Sequence, residues 1–412
     1  MDSRQRVLNA INHLEPNGIP VDLGATPSSG ISAIAYDRLI HALPVDDRRN
    51  WVYDVVQQVA QPSVELLDYF RIDTLDLGRT FNTNDNDWYD YTLPNGRPAQ
   101  QPIWFQPIKQ GDGSYLAYHN NEAIASMPQT AFSYDQIVYP FLDGYPTKYD
   151  QNLDEAMARI HWASFAHSPW DHAHEPDFWH RLRQNALELK QTSDRAIVLS
   201  AGCNLFEWGT FVRRLDNFLM DLAENPVEVE RFLDALMKRH LNSLENICNS
   251  VGDVVDIIRL GDDLGMNTGP MMGPKTYRKI FKPRHEILCN YIKSNSKMHT
   301  FLHSCGSIYQ LIPDLIEAGF EIINPVQTNT RDMEPSRLKK EFGNDVTFWG
   351  GGADTRSVLN QGTAKQVKDH VQEQIEILSP GGGFVFNTIH NILPDVPAEN
   401  IIAMFETIDE YR

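Results

Sequence analysis

Short apolar runs alternate with longer stretches of helical spacing from one end of the chain to the other. Eight runs read as strands: 19–23, 73–77, 196–200, 255–260, 298–303, 321–324, 346–350 and 383–387. Several are apolar throughout, as strands of a parallel sheet buried on both faces are. Most are followed by Gly or Asp and then by a helical pattern. LIPDLIEAG after the fifth run and VKDHVQEQIEIL after the seventh carry apolar residues at spacings of three and four. Repeated β-then-α units predict an α/β fold of the (β/α)8 TIM barrel type. A doubly wound sheet has similar local signals, but no Gly-rich dinucleotide loop follows the first run.

One stretch breaks the alternation. Over 87–127, aromatic residues alternate with polar ones between the turn signals Pro94-Asn95-Gly96 and Gly111-Asp112-Gly113. This predicts antiparallel hairpins inserted outside the barrel wall, with 1–412 forming a single barrel domain. A second irregular stretch, 162–180, holds His167, His172, His174 and His180. Their spacing matches no zinc pattern and reads as a surface loop.

Composition narrows the partners. Of 412 residues, 42% are hydrophobic and 22% charged, enough apolar material for a large core and no basis for wholesale disorder. The net charge is -19, which repels phosphate backbones and anionic lipid, so nucleic acid and membranes are poor partners. The mean hydropathy is -0.40, and no uninterrupted apolar run is long enough to span a bilayer. The N-terminal segment has no apolar signal core and reads as a capped amphipathic helix. Cys203, Cys248, Cys289 and Cys305 lie far apart, too few for a disulfide scaffold. These features together predict a cytoplasmic protein.

In barrels the chemistry sits at the C-terminal ends of the strands, which turns the strand pattern into a search for side chains. His303 and Cys305 stand two residues apart at the end of the fifth run and therefore point to the same side. An imidazole and a thiolate so placed are half of a tetrahedral zinc site, and His390, at the end of the eighth run, is the natural third ligand. The other reading makes Cys305 a small buried hydrophobe and His303 a hydrogen-bonded wall residue. Asp262 and Asp263 are paired carboxylates at the fourth strand end. Either one acts as acid, base or substrate anchor, or one caps the helix beginning near Pro274 or pairs with Arg259. Glu207 and Trp208, beyond the third run, line the barrel mouth or pack as a solvated acid and a core aromatic. Asn324 and Gln327, at the sixth strand end, are candidate substrate contacts. The glycines at 350–352 and 381–383 precede no Gly-Lys-Ser/Thr and so form no phosphate loop.

With these residues in hand, the chain resembles the uroporphyrinogen decarboxylase superfamily along nearly all its length. The match is carried by 261–265 with Gly269-Pro270 and 277–284, by 301–306, by 346–354 and by 383–400. The resemblance implies a (β/α)8 barrel with one of two chemistries: cofactor-free decarboxylation of a porphyrinogen, or zinc-dependent methyl transfer to or from a corrinoid. The decarboxylase proper carries an Arg-rich first loop that binds the substrate carboxylates. Here the corresponding stretch runs from Gly24 to Ser32, and no Arg or Lys occurs between Arg6 and Arg38. Eight carboxylates would meet little positive charge there.

The methyltransferase branch carries His-x-Cys and a further Cys near the C-terminus as zinc ligands. His303 and Cys305 match the first part, and His390 stands at the third position. The resemblance therefore implies a zinc-dependent methyltransferase acting on a small-molecule methyl donor or acceptor. The chain lacks the Asp-x-His-x-x-Gly motif of many corrinoid proteins, so cobalamin is expected on a separate partner protein. Asp262, Asp263 and Glu207 are then expected to serve catalysis, and Gln327, Asn324 and Trp208 to contact substrate. A second copy of the chain is a further candidate partner. The alternatives are a porphyrinogen or small-acid decarboxylase and a non-catalytic ligand-binding barrel.

Overall fold

The computed structural model describes residues 1–412, the side chains of 150 and 151 excepted. Seven parallel strands form one sheet: Thr74–Asp76, Ala196–Gly202, Ile257–Gly261, His299–His303, Ile322–Asn324, Thr347–Trp349 and Phe384–Val385, each paired with the next in chain order. The gap between the last strand and the first is filled by the segment around Val21. Val21 bridges Phe386 in parallel. The Asp22 N–H donates to the Phe386 carbonyl (2.9 Å), and the Asp73 N–H donates to the Val21 carbonyl (2.8 Å). The ring is thus closed, and the architecture is the TIM-barrel type that the β-then-α alternation predicts. The expected strand 19–23 shrinks to this single bridge, and the other seven runs lose or gain only end residues.

Strand parity sorts the side chains into two cores. Ala196, Val198, Ile257, Phe301, Ile322, Trp349 and Val385 point inward and pack as one cluster with Val7, Ala10 and Ile11. Those last three lie on one face of the helix Ser3–Ile11, whose N-terminus is capped by the Asp2 carboxylate accepting from the Gln5 N–H (2.7 Å). The helix plugs the bottom of the barrel. Each fully buried aliphatic side chain there contributes about 1.5–3 kcal/mol. The alternate residues Ile197, Leu199, Ile258, Leu260, Leu302 and Ile323 join the outer core beneath the helices. The helix Ala364–Leu378 shows how the outer layer is built. A Thr363–Gln366 capping box starts it, and Val367, Val371, Ile375 and Leu378 form its buried stripe.

The aromatic-rich stretch forms antiparallel hairpins, as its turns predict. Trp88–Thr92 pairs with Pro98–Pro102. Ile108–Lys109, Tyr115–His119, Glu122–Met127 and Asp135–Gln136 make a four-stranded sheet that continues past 127. Neither sheet is hydrogen-bonded into the barrel wall. A small antiparallel sheet of Ile31–Ser32, Val59–Ala60 and Val52–Asp54 precedes them, unforeseen because its strands are only two or three residues long. No helix among the described residues is long and apolar enough to cross a membrane.

Candidate functional site

The inward parity that makes the barrel core apolar below makes it polar at the mouth. Continuing each inward row to its strand end reaches Ser200, Arg259, His303 and Asn324. Above them opens a cavity of about 540 Å³, lined by Ser200, Arg259 and His303 among these strand ends and by Trp162, His167, Trp170 and Trp208.

His303, Cys305 and His390 converge here, with one donor atom from each lying within 4.8 Å of the others. Each is held by local structure. Cys305 rides a turn that requires glycine at 306, where φ is +85° and a Cβ would fall 2.4 Å from the Gly265 carbonyl carbon. The Cys305 N–H donates to Asp263 Oδ1 (2.8 Å), and the Gly306 N–H donates to Gln327 Oε1 (2.7 Å). Gln327 therefore braces the cysteine turn from below and does not line the cavity. The His390 carbonyl accepts from the Thr388 hydroxyl, and Asn391 Oδ1 sits 2.8 Å from His390 Nδ1.

Asn324 lies behind His303, wholly buried. Its Nδ2 donates to the Trp349 carbonyl (2.8 Å), which turns Oδ1 toward His303 Nδ1 at 2.8 Å. Ser28 Oγ donates to the same oxygen at 3.2 Å. The carboxamide is thus fully engaged within the wall. It fixes the imidazole with its proton on Nδ1, leaving the Nε2 lone pair toward Cys305 Sγ, 3.4 Å away. Burial, with the nearby Arg259, holds the His303 imidazolium well below its usual pKa, so the ring is neutral. Burial also lowers that of His390. The Cys305 thiol is pushed well up by burial and by Asp263 and Glu207.

The paired aspartates have different surroundings. Asp262 is wholly buried and accepts backbone N–H bonds from Leu205 (3.2 Å), Phe206 (3.1 Å) and Glu207 (2.9 Å). It caps the helix Phe206–Arg213, not the one near Pro274. His285 Nε2 backs it at 3.4 Å, and His285 Nδ1 in turn meets the Tyr277 hydroxyl at 2.9 Å. Asp263 faces the cavity, with Oδ1 3.6 Å from His303 Nε2. Glu207 and Trp208, on the capped helix, also line the cavity. Burial, then Asp263 and Asp262, push the Glu207 carboxyl well above the usual carboxylate range, while a hydrogen bond from Asn204 opposes this. Asp263 is raised too, mainly by burial. Of the histidine-rich stretch, His167 reaches the cavity, whereas His172 is bound to Glu175 (2.6 Å) and Asn82 (2.8 Å).

Sequence reasoning passed over Arg259, Ser200 and Trp170 as site residues. The signal was present: Arg259 and Ser200 stand on inward parity with the core residues two positions before them. Trp170 carried none, because its indole reaches the wall only by donating to the Ser200 carbonyl (2.6 Å).

Chemically, two neutral imidazoles and one thiol around a common point suit a tetrahedral borderline-soft cation such as zinc, with a fourth position facing the cavity. The tautomer set by Asn324 is the one a metal-binding imidazole needs.

Comparison with known proteins agrees with this architecture. The family model described as uroporphyrinogen decarboxylase (URO-D) matches residues 206–411, half of the chain. A protein named methylcobamide:CoM methyltransferase MtaA from Methanosarcina barkeri is 26% identical over 159 residues, 38% of this chain and 42% of that protein. The protein of the same name from the Fusaro strain is 24% identical over 159 residues. The chain thus spans less than half the length of the curated relatives it matches. A solved structure, a methyltransferase from Methanosarcina mazei, superposes with a TM-score of 0.59 over 100% of this chain and 99% of that one, at 14% identity. That likeness is one of fold.

Proposed function

This chain belongs to the uroporphyrinogen decarboxylase (URO-D) family, and we propose that it is a zinc-dependent methyltransferase moving a methyl group between a small molecule and a corrinoid on a separate protein. The observation that carries this reading is the convergence of His303, Cys305 and His390 within 4.8 Å of one another, with both histidines lining the cavity. The names of the relatives point the same way.

The three side chains would hold zinc. Zinc supplies a Lewis acid that polarises the heteroatom of a methyl donor or holds a thiol acceptor as thiolate. Asn324 keeps the His303 lone pair on Nε2. Asp263 anchors the Cys305 backbone and stands beside the imidazole. Glu207, kept protonated by burial and its acidic neighbours, holds a proton at its carboxyl within the same cavity. When a methyl group leaves a heteroatom as a cation equivalent, the heteroatom gains a lone pair, and Glu207 is positioned to protonate it. Trp162, Trp170 and Trp208 bind the substrate body and exclude water. The corrinoid would enter from the cavity side on its own carrier, since this chain has no Asp-x-His-x-x-Gly motif. The lining cations are Arg239 and Arg259 among the described residues, too few for a substrate with eight carboxylates.

The test is zinc per chain, with methyl transfer from methylcobalamin to an added small thiol followed by the visible spectrum of the corrinoid. Wild type is expected to hold one zinc and Cys305→Ser to lose both metal and methyl transfer while staying folded. Equal zinc content in the two proteins would sink the ligand assignment.

A further inference from the structure

The cavity holds a second polar locus that the metal centre does not use. Arg259 and Ser200 are register partners on adjacent parallel strands, so their side chains lie side by side on the barrel's inner face. Both line the cavity. Ser200 is only 5% exposed, and its Oγ has no hydrogen-bond partner. The Arg259 Nε is likewise buried without a partner, and no carboxylate lies within ion-pair distance of the guanidinium among the described residues. The nearest acids are engaged elsewhere: Asp263 takes the Cys305 N–H and Glu207 takes Asn204. An unpaired guanidinium at the wall of a barrel is costly. Its planar fork beside a free hydroxyl matches the two oxygens of a carboxylate.

We infer that Arg259 and Ser200 form a carboxylate-binding subsite that selects a small organic monoanion with a flat apolar body as the methyl-exchanging substrate. The inference rests on the methyltransferase reading only for the word methyl-exchanging; the anion site stands on its own geometry. Below the pair the barrel is filled by Val198 and Ile257, with Phe301 level with Arg259 on the next strand, so the anion end has nowhere deeper to go. Beside it, the Trp170 indole is tied to the Ser200 carbonyl and presents an aromatic wall, and Trp208 lines the same cavity. Arg259 pairs in register with Phe301, and Gly261 with His303. The guanidinium's strand position is therefore two residues, about 6–7 Å, below that of the ligating imidazole. A carboxylate on Arg259 thus leaves the far end of a compact substrate beside His303, Cys305 and His390. Bulky or polyanionic molecules have one guanidinium–hydroxyl pair to bind and a closed floor beneath it.

Benzoate, a rigid monoanion, and benzamide, its neutral isostere, provide the probes, titrated by calorimetry into chelator-treated protein so that no metal competes for the carboxylate. Wild type should bind one benzoate per chain and benzamide at least about tenfold more weakly, since a hydrogen bond to a charged group is at stake. Arg259→Met should weaken benzoate about tenfold or more, and Ser200→Ala about three- to tenfold, while benzamide binding changes little. Cys305→Ser should bind benzoate as wild type does. The inference is overturned by absence of saturable benzoate binding, by equal affinity for the two probes, or by a folded Arg259→Met that keeps wild-type affinity. If Arg259→Met does not fold, Arg259→Lys, Ser200→Ala and the probe contrast in wild type decide. Zinc content of the same samples separates the two proposals. Arg259-dependent benzoate binding by a chain that takes up no zinc removes the methyltransferase reading and keeps the anion site; zinc without benzoate binding does the reverse.

Discussion

Asn324 Oδ1 lies 2.8 Å from His303 Nδ1, and this contact decides which nitrogen of the imidazole can bind a metal. The Asn324 amide nitrogen is committed to the Trp349 carbonyl, so the oxygen cannot rotate away. Replacing Asn324 by Leu removes the acceptor and frees the ring to rotate or change tautomer. Zinc affinity should fall about ten- to hundredfold, as for other lost partners of metal-binding histidines. Asn324→Asp keeps an acceptor at the same place and should retain most of the affinity. Competition with a chromogenic chelator measures both. A Leu variant that binds zinc as tightly as wild type would show that the contact does not set the ligand.

Asp262 presents a different relation between sequence and role. Its carboxylate satisfies three backbone N–H groups at the start of Phe206–Arg213, the helix that carries Glu207 and Trp208 to the cavity. Asp262→Ala leaves those buried donors unpaired and should cost about 2 kcal/mol or more. Asp262→Asn keeps one capping oxygen and should cost less. Urea unfolding gives the numbers. An Ala variant within about 0.5 kcal/mol of wild type would contradict the capping role.

The contrast between neighbours Asp262 and Asp263 shows what was legible in the sequence. The barrel was legible because seven of its strands are local apolar runs, and local runs carry their own signal. His303 and Cys305 were legible as a pair because two residues on one strand share a face. Their meeting with His390 could be suspected from strand ends alone, since every inward row of a barrel leads to the same mouth. The role of Asp262 could not, because its partners lie 55 to 57 residues away in sequence and are backbone atoms. Asn324 read as a substrate contact for the same reason: nothing local shows that the wall consumes both ends of its amide. Val21 closes the ring through a single bridge to Phe386, so the apolar run 19–23 marked the place of the first strand but not how little of it is paired.

Glu207 links stability to function and gives the sharpest pH prediction. Burial and the neighbouring Asp263 and Asp262 raise its carboxyl well above 4.5, its ordinary value. The protonated form is therefore favoured in the folded chain. The contribution of Glu207 to stability is fully present below pH about 4.5, where both states are protonated, and is lost as pH rises toward the folded-state pKa. As pH rises above about 4.5 the folded protein keeps a proton that the unfolded chain releases, which costs stability. Glu207→Gln mimics the protonated acid and keeps its shape and hydrogen bonds. The variant should be more stable than wild type at pH 7, with the difference vanishing as pH falls to about 4.5. Gln cannot deliver a proton, so methyl transfer from a donor with a poor leaving heteroatom should fall about 10²–10⁴-fold, with zinc content unchanged. Denaturant unfolding at pH 4.5 and 7, alongside kcat for the same protein, tests both halves. A Gln variant less stable than wild type at pH 7 would mean that Glu207 is ionised in the folded chain, and the proton it is assigned would not be there to give.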